Sequence, residues 1–476
     1  MSYRTNEIDL TDSGMADALI DVCGDDWRYV HDLDTWLRWD GVVWRRDKTG
    51  GILRQARSVV EQTVAAVDTI ADDKQRTKAY TAWTNRQSAH ALEAQVRLAR
   101  VDAKVAVLSD KLDSHPLLLA TPNGVLDLAT GKMMPGAREM LITRSTNAKY
   151  NQEAQSDLWD HFMRAVTCDD KELATWLQHA VGMSLIGDQR EQVALFCHGK
   201  GNNGKSTFLD ALANAFGDYA CKAAPDLVTA SRNDRHPTEV MDLASMRFVV
   251  IDEFKEGAAL DESKLKRLTG GGKTKARAMA KDFVEFRNTW QLWLDGNARP
   301  TVHGQDDGIW RRLRLVPWRL SVPEEQRDRD LPRKLSASGE AVLRWAIDGC
   351  RDYLAAGRLP ACHCIDSGTR AYRMEQDMVG AWLADTYAVD TWRADISRSS
   401  NWTPTSLVLE SSKRWCEANH ARPWAANVLG QELQQRGCQA EKRGGVRGWL
   451  GLDPSAFVPA NHPSGSNNDD GYTRWH

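Results

Sequence analysis

Residues 198–208, HGKGNNGKSTF, leave this chain few folds to choose from. They fit G-x-x-x-x-G-K-[ST] through Gly199, Gly204, Lys205 and Ser206. The preceding QVALFCH is an apolar run that reads as a buried strand. The following FLDALANAF puts Phe208, Leu209, Leu212 and Phe216 at helical spacing. A strand, a glycine loop and a helix in that order form the setting in which such a loop holds phosphate. The expected fold class is therefore α/β.

The chemistry follows from the residue types. Backbone N–H groups in the loop and at the helix start point at phosphate oxygens. Lys205 is expected to reach the β- and γ-phosphates and Ser206 to hold magnesium, while Gly199 and Gly204 supply backbone freedom that a side chain blocks. Gly201, Asn202, Asn203 and Thr207 complete the nucleotide-binding set, with ATP and Mg2+ as cofactors. The alternative is a loop that keeps this shape without binding. A second signal arrives at MRFVVIDEF, where Phe248 to Ile251 end in Asp252 and Glu253. Two acids at the end of a buried parallel strand suit a metal partner and a water-activating base. Asp252 is assigned to magnesium through water and Glu253 to polarising the attacking water. A solvated strand-end pair is the alternative. Downstream of a glycine loop, hydrolysis is the stronger expectation.

The next stretch, KLKRLTGGGKTKARAMAKDFVEF, carries no acid from Lys264 to Lys281. Gly270, Gly271 and Gly272 break it into a loop, and FVEF reads as a returning strand. A basic hairpin fits contact with a polyanion backbone. Lys266, Lys273, Lys275, Arg277 and Lys281 are the candidate contacts, against the alternative of a solvated basic loop. Trp290 to Leu294 read as another strand, closing on Asn297, whose amide can sense the γ-phosphate or help place the water. Trp310, Arg311 and Arg312 precede a further apolar run, LRLVP. An arginine past the last core strand, turned from its own site, can serve a neighbour's site as a finger. That role requires a ring or a dimer, and a surface arginine pair is the alternative.

The order of GKGNNGKS, VVIDEF, LKRLTGGGKTKAR, LWLDGNARP and DDGIWRRLRLVPW resembles a superfamily 3 helicase, more narrowly the phage, plasmid and poxvirus primase–helicase group. Upstream, WLRWDGVVWRRD, LLLATPNGVLDLATGK and WLQHAVGMSLIG resemble that group's domain ahead of the motor. Downstream, SLVLESSKRWCEANHARPW and the glycine-arginine run resemble its winged-helix module. The resemblance implies an AAA+ P-loop motor with a mixed α+β N-terminal domain and a C-terminal winged-helix domain. It implies a homo-hexameric ring that moves on single-stranded DNA, generally 3′ to 5′, using ATP. Lys205 and Ser206 then match the phosphate and magnesium ligands, Asp252 and Glu253 the second acidic motif, and Asn297 the polar sensor. Arg312 matches the finger supplied in trans, with Arg311 as the alternative, and the basic stretch matches a pore hairpin with Lys281 near its tip. The group usually has Gly-Gly-Asp where this chain has Gly270-Gly271-Gly272, and a proline where Arg287 and Asn288 stand.

The flanks can also be read without a family. Asp40-Gly41 and Asn123-Gly124 mark hairpin turns. Residues 51–112 are rich in helix formers, and 157–186 are helical, as in a collar. Trp27, Trp36, Trp39 and Trp44 read as core before base-stacking. PEEQRDRDLPRK, after Val322, reads as a linker or solvated loop. Helices are expected after it. Residues 407–418, then VLGQELQQRG, then a hairpin at 444–448 resemble helix, recognition helix and wing. There Arg443 and Arg447 are candidates for phosphate, with DNA and protein both open as partners. The expected domains are 1–152, mixed α+β; 153–325, collar and motor; and 326–476, helical region, winged helix and a disordered tail from Asn461.

Length supports such a division, since 476 residues exceed one hydrophobic core. The net charge of −3 means that the whole molecule is no magnet for nucleic acid, so binding must be local. Nine scattered cysteines form no disulfide framework, and Cys362 and Cys364 read as partly buried thiols rather than zinc ligands. No apolar run approaches membrane-spanning length, and the start lacks a signal peptide, so a cytoplasmic protein without membrane contact is expected. The segment before WLRWDG is too short for a primer-making domain, so no primer synthesis is expected, and a separate primase or polymerase is a candidate partner. Two functions fit: a replication helicase of a phage or mobile element, or an initiator or loading scaffold that binds origin DNA and uses ATP only to assemble.

Overall fold

The computed structural model describes residues 9–230, 238–252, 254, 257–276, 283–387 and 401–452. The chain divides into two compact units, residues 1–372 and 373–476. The expected division at 325 does not coincide with this one.

The first unit begins with helix α1 (Asp12–Cys23) and strands β1 (Trp27–Val30), β2 (Thr35–Trp39) and β3 (Trp44–Arg46). Helices α2 (Gly51–Asp68), α3 (Asp73–Arg86) and α4 (Ala89–Ala99) follow, then β4 (Ala106–Val107). The four strands form one sheet in the order β3-β2-β1-β4. The hairpin expected at Asp40-Gly41 is present, but Trp39 pairs with Trp44, so the loop holds four residues, 40–43. Trp27, Trp36 and Trp44 are buried. Trp27 and Trp36 pack in the core between sheet and helices with Leu19, Ile52 and Val59, as their reading as core anticipated. A second sheet joins β5 (Leu118–Thr121), β6 (Gly124–Asp127) and β7 (Lys132–Met134). Its first turn is Pro122-Asn123, one residue earlier than expected, because Thr121 pairs with Gly124.

Helices α5 (Asp157–Thr167) and α6 (Lys171–Met183) occupy the stretch expected to be helical. Each starts on a side-chain cap: Ser156 accepts from the Trp159 N–H and Asp170 from the Leu173 N–H. Then come β8 (Ala194–His198), α7 (Lys205–Phe216), β9 (Ala220–Ala223), α8 (Thr238–Met241), β10 (Phe248–Ile251), α9 (Glu262–Leu268), β11 (Lys273–Ala276), β12 (Val284–Arg287), β13 (Gln291–Gly296), α10 (Asp307–Trp310) and β14 (Leu313–Pro317). Five of these strands make a parallel sheet in the order β14-β8-β13-β10-β9. Both faces are covered, which is why β8, β10 and β13 read as continuous apolar runs rather than alternating ones.

One face packs α5, α6 and α7 around Trp159, Phe208, Phe216 and Trp293. Truncating a buried aromatic of this kind to alanine typically costs ~3–5 kcal/mol. Trp293 keeps its polar handle satisfied, since Nε1 donates to Ser184 Oγ at 3.0 Å. Helices α11 (Leu331–Ala337), α12 (Gly339–Ala356) and α13 (His363–Gln376) follow. Much of PEEQRDRDLPRK is thus structured, with α11 opening inside it. Helix α12 belongs to the core beside the parallel sheet, where Val342, Ala346 and Ile347 are buried in the same cluster as residues of α6 and α7. Where it crosses α6 there is no room for side chains: a Cβ on Gly182 would lie 2.0 Å from the Cys350 nitrogen.

Arg247, just ahead of β10, is buried and fastens the N-terminal part to the parallel-sheet region. Its guanidinium donates to the Leu185 carbonyl at 2.5 Å and to the Leu118 carbonyl of β5 at 2.7 Å. It also lies over the Tyr219 ring.

The second unit holds α14 (Met378–Thr386), β15 (Trp402–Pro404), α15 (Thr405–Ala418), α16 (Ala426–Gln435), β16 (Gln439–Arg443) and β17 (Val446–Leu450). Its sheet has the order β15-β17-β16. The β16–β17 turn is Gly444-Gly445, both at positive φ, as a two-residue hairpin turn demands. The tail from Asn461 lies outside the described residues. Among the described residues no helix is long and apolar enough to cross a membrane.

Candidate nucleotide site and basic ribbon

Strand β13 lies between β8 and β10, and all three run the same way. Their C-terminal ends therefore form one edge, which carries the glycine loop after His198, Asp295 and Asn297 of β13 and its exit, and Asp252 after Ile251. The register sets Ile251 beside Leu294 and Asp295 beside Cys197, so residues distant in sequence meet there.

The loop's two motif glycines are required for different reasons. A Cβ on Gly199 would sit 2.2 Å from the Trp318 carbonyl oxygen. Gly204 has φ +84°, and a Cβ there would lie 2.7 Å from Val166 Cγ1. Gly201 meets nothing within 4 Å. Helix α7 begins at Lys205 and runs for 12 residues with its N-terminus in the loop. A glycine loop that leads into a helix N-terminus fits a phosphate group.

Lys205 is 3% exposed. Its Nζ donates to Asn297 Oδ1 at 2.9 Å and to the Gly199 carbonyl at 3.2 Å, and lies 3.7 Å from Asp295 Oδ1. Buried charge of this kind persists only when paired and hydrogen-bonded. Ser206 Oγ donates to Asp295 Oδ2 at 2.8 Å. Asn203 is buried and braces the loop, accepting from the Lys205 N–H at 3.3 Å and donating to the Trp318 carbonyl at 3.4 Å. Asn202 is exposed with φ +60°, and Thr207 is half-buried at the helix start. Asp252 faces Lys222 of β9 at 3.6 Å, and Lys222 also pairs with Asp210 of α7 at 2.9 Å. The Asp210 hydrogen bond, with Asp252 nearby, raises the Lys222 ammonium above its ordinary pKa. Glu253 lies outside the described residues.

The structure thus brings Lys205 against Asn297, links Ser206 to Lys205 through Asp295, and sets Asp252 on the same edge. Asp295 and Lys222 were not among the sequence candidates. Asp295 stands in the very run that pointed to Asn297, and its position at a strand end was the available signal. Lys222 left no signal, because its partners lie on other elements.

Arg312 is elsewhere. LRLVP is itself β14, a strand of the sheet, so Arg312 stands ahead of the last core strand and not past it. The Ala194 N–H donates to the Arg312 carbonyl at 2.7 Å, at the start of β8, while the glycine loop leaves from the far end of β8. Four residue steps of strand separate Ala194 from His198, or ~13 Å. The guanidinium is held at that end by the Gly308 carbonyl at 2.6 Å and by Gln192 Oε1 at 3.4 Å. Burial and the like charge of Arg311 lower its pKa. Arg311 is exposed.

The basic stretch divides in two. Lys266 is on α9 and not on the hairpin, and its ammonium binds both Asp306 oxygens at 2.9 and 3.1 Å. Strands β11 and β12 form the expected antiparallel ribbon, pairing Lys273 with Arg287 and Lys275 with Glu285. Thr274 and Ala276 are buried, so Lys273 and Lys275 share the outer face with Glu285 and Arg287. Lys273 meets Glu285 at 3.2 Å. Arg277 and Lys281 lie outside the described residues.

Asn288 ties down the base of the ribbon. It is buried, accepts from Thr274 Oγ1 at 2.7 Å, and donates to the Arg267 and Gly270 carbonyls at 3.0 and 2.9 Å. A Cβ on Gly272 would meet nothing within 4 Å, so packing does not exclude a carboxylate there.

Cys362 and Cys364 place their sulfurs 3.4 Å apart in the core, and burial pushes the Cys362 thiol up to about 12. Among the described residues no group of three or more His, Cys, Asp or Glu stands ready for a metal. In the second unit Arg443 pairs with Glu441 at 3.0 Å, and Arg447 is exposed.

Residues 16–168 match the family described as D5 N terminal like, and residues 197–312, from the end of β8 to Arg312, match a family of unknown function, DUF5906. The chain is 29% identical over 213 residues to an Acanthamoeba polyphaga mimivirus protein named "Putative helicase L207/L206". That match covers 44% of this chain and 22% of the relative. It is 26% identical over 349 residues to "Putative primase C962R" of African swine fever virus (strain Badajoz 1971 Vero-adapted), covering 68% of this chain and 36% of that one. This chain thus aligns with well under half the length of either relative. Among solved structures, the apo form of the NrS-1 C terminal region superposes with a TM-score of 0.51 at 10% identity, over 94% of this chain and all of that one. That likeness concerns the fold alone.

Proposed function

Because this chain belongs to the phage and viral primase–helicase family, we propose that it is an ATP-dependent DNA helicase of superfamily 3, acting in replication of a phage or mobile element. The motor is of AAA+ type. It works as a ring, a homo-hexamer, drawing single-stranded DNA past the β11–β12 ribbons. The C-terminal unit, with α15, α16 and the β16–β17 hairpin, is read as a winged helix. One observation carries the proposal: an inserted strand, β13, sets Asn297 between the glycine loop and Asp252, while Arg312 stands at the opposite end of the same sheet.

Each residue then has a task. Backbone N–H groups of 199–206 and the start of α7 cradle the phosphates, and Lys205 neutralises their charge. Ser206 and Asp252 hold magnesium, which supplies charge neutralisation on the triphosphate when bound. Asn297, already on Lys205, orients the water that Glu253 deprotonates. Arg312 lies too far from its own loop to act there and completes the site of the next subunit. Lys273, Lys275 and Arg287 meet DNA phosphates, joined by Arg277 and Lys281.

The test is hydrolysis with and without single-stranded DNA. DNA stimulates the wild type, and Lys205→Ala abolishes turnover. Equal rates with and without DNA would remove the motor. Mixing Arg312→Ala with Glu253→Gln subunits restores partial hydrolysis if the finger acts in trans, and no rescue speaks against it. Binding of duplex origin DNA without strand displacement would identify an initiator or loading scaffold instead.

A further inference from the structure

We propose that Asp295 is a positioning residue that makes nucleotide binding depend on magnesium by fixing the proton of Ser206. This rests on the nucleotide site just described. A serine hydroxyl has one hydrogen and two lone pairs. It ligates a cation well only when its hydrogen points away, leaving a lone pair toward the metal. Asp295 Oδ2 takes that hydrogen at 2.8 Å. Asp295 is 9% exposed, and its other oxygen, Oδ1, lies 3.7 Å from the Lys205 ammonium at the start of α7. Strand β13 sets it rigidly, with Gln291 to Gly296 all buried.

Two consequences of opposite sign follow. Outer partners that orient a metal ligand typically contribute 10–100-fold in metal affinity. The same carboxylate is a fixed negative charge beside the phosphate cradle, so it repels metal-free nucleotide. Asp295 therefore weakens binding of bare nucleotide and strengthens binding of the magnesium complex.

The measurement is titration of the full chain with a fluorescent ADP analogue, in magnesium and in EDTA. In Asp295→Ala the gain conferred by magnesium falls at least ~10-fold, while affinity in EDTA stays equal or rises. Asp295→Asn keeps an acceptor for the hydroxyl without the charge. It recovers part of the magnesium gain and binds bare nucleotide as Asp295→Ala does. If Asp295→Ala does not fold, the Asn variant carries the test with the same signs and a smaller loss. An unchanged magnesium gain overturns the proposal. So do equal losses in both conditions, which would mark a structural role. Wild-type protein that binds no analogue in either condition would instead end the nucleotide-site reading itself.

Discussion

The candidate nucleotide site and the basic ribbon are built on different principles. At the sheet edge, Lys205, Asn297, Asp295 and Ser206 are interlocked by short hydrogen bonds, and Lys205 and Asp295 are buried among apolar strands. On the β11–β12 ribbon, Lys273, Lys275 and Arg287 stand in solvent on two strands, with an exposed ion pair from Lys273 to Glu285, and the buried fastening is at the base, through Asn288. A site that must hold one geometry is made from buried pairs, each costly to break. A surface that must accept any stretch of a charged polymer needs like charges on a support, and it tolerates looser placement.

That contrast can be broken by substitution. The largest effect belongs to Gly199→Ala, whose Cβ meets the Trp318 carbonyl. Nucleotide affinity drops ~100-fold or more, about 2.7 kcal/mol, while DNA affinity without nucleotide is preserved. Isothermal titration and a gel shift on one preparation read both. Next is Asn288→Ala, which strands the Gly270 and Arg267 carbonyls and the Thr274 hydroxyl. Thermal unfolding should show a loss of about 2–3 kcal/mol, with DNA affinity falling and nucleotide affinity held. A fall in nucleotide affinity would mean the two regions are not independent. Replacing Lys273, Lys275 and Arg287 together by alanine lowers the salt slope of single-strand binding by ~2, at ~0.7 per lost phosphate contact, and leaves stability near wild type. An unchanged slope would move DNA off this face.

The smallest effect sharpens the boundary of the ribbon. Lys266→Ala costs up to about 1 kcal/mol at neutral pH, because its pair with Asp306 is partly exposed. Partial burial works against the Asp306 charge, but the Lys266 hydrogen bond and charge outweigh it, so its pKa is lowered. The stabilisation is therefore present above the ordinary carboxylate range and is lost as pH falls through the depressed value. Unfolding curves of wild type and variant should converge in acid, with DNA affinity little changed at neutral pH.

What could be read in advance followed sequence locality. The glycine loop is strand, turn and helix in consecutive residues, so spacing alone disclosed it. The ribbon stem was legible too, since FVEF returns along a stretch whose residues alternate. Pairings across the sheet were not. Lys222 reaches Asp252 only because β9 lies beside β10, and Lys266 meets Asp306 only because their elements pack together. Asp295 was hidden for another reason: a strand-end acid looks solvated until its neighbours are known. LRLVP read as an outlying apolar run, and only the sheet order reveals it as the strand beside β8. Helix α12 was assigned to a region beyond the motor, yet the glycine crossing with α6 brings it inside.

Arg247 has a mechanical consequence. Its guanidinium spans from the exit of α6 to the first strand of the neighbouring three-stranded sheet, and its backbone runs straight on into β10, the strand that leads to Asp252. The leading half of this unit is thereby a chassis rather than a hinged attachment. Any tilt of that frame is handed directly to the acidic end of β10, and any load taken up at Asp252 is borne by the frame.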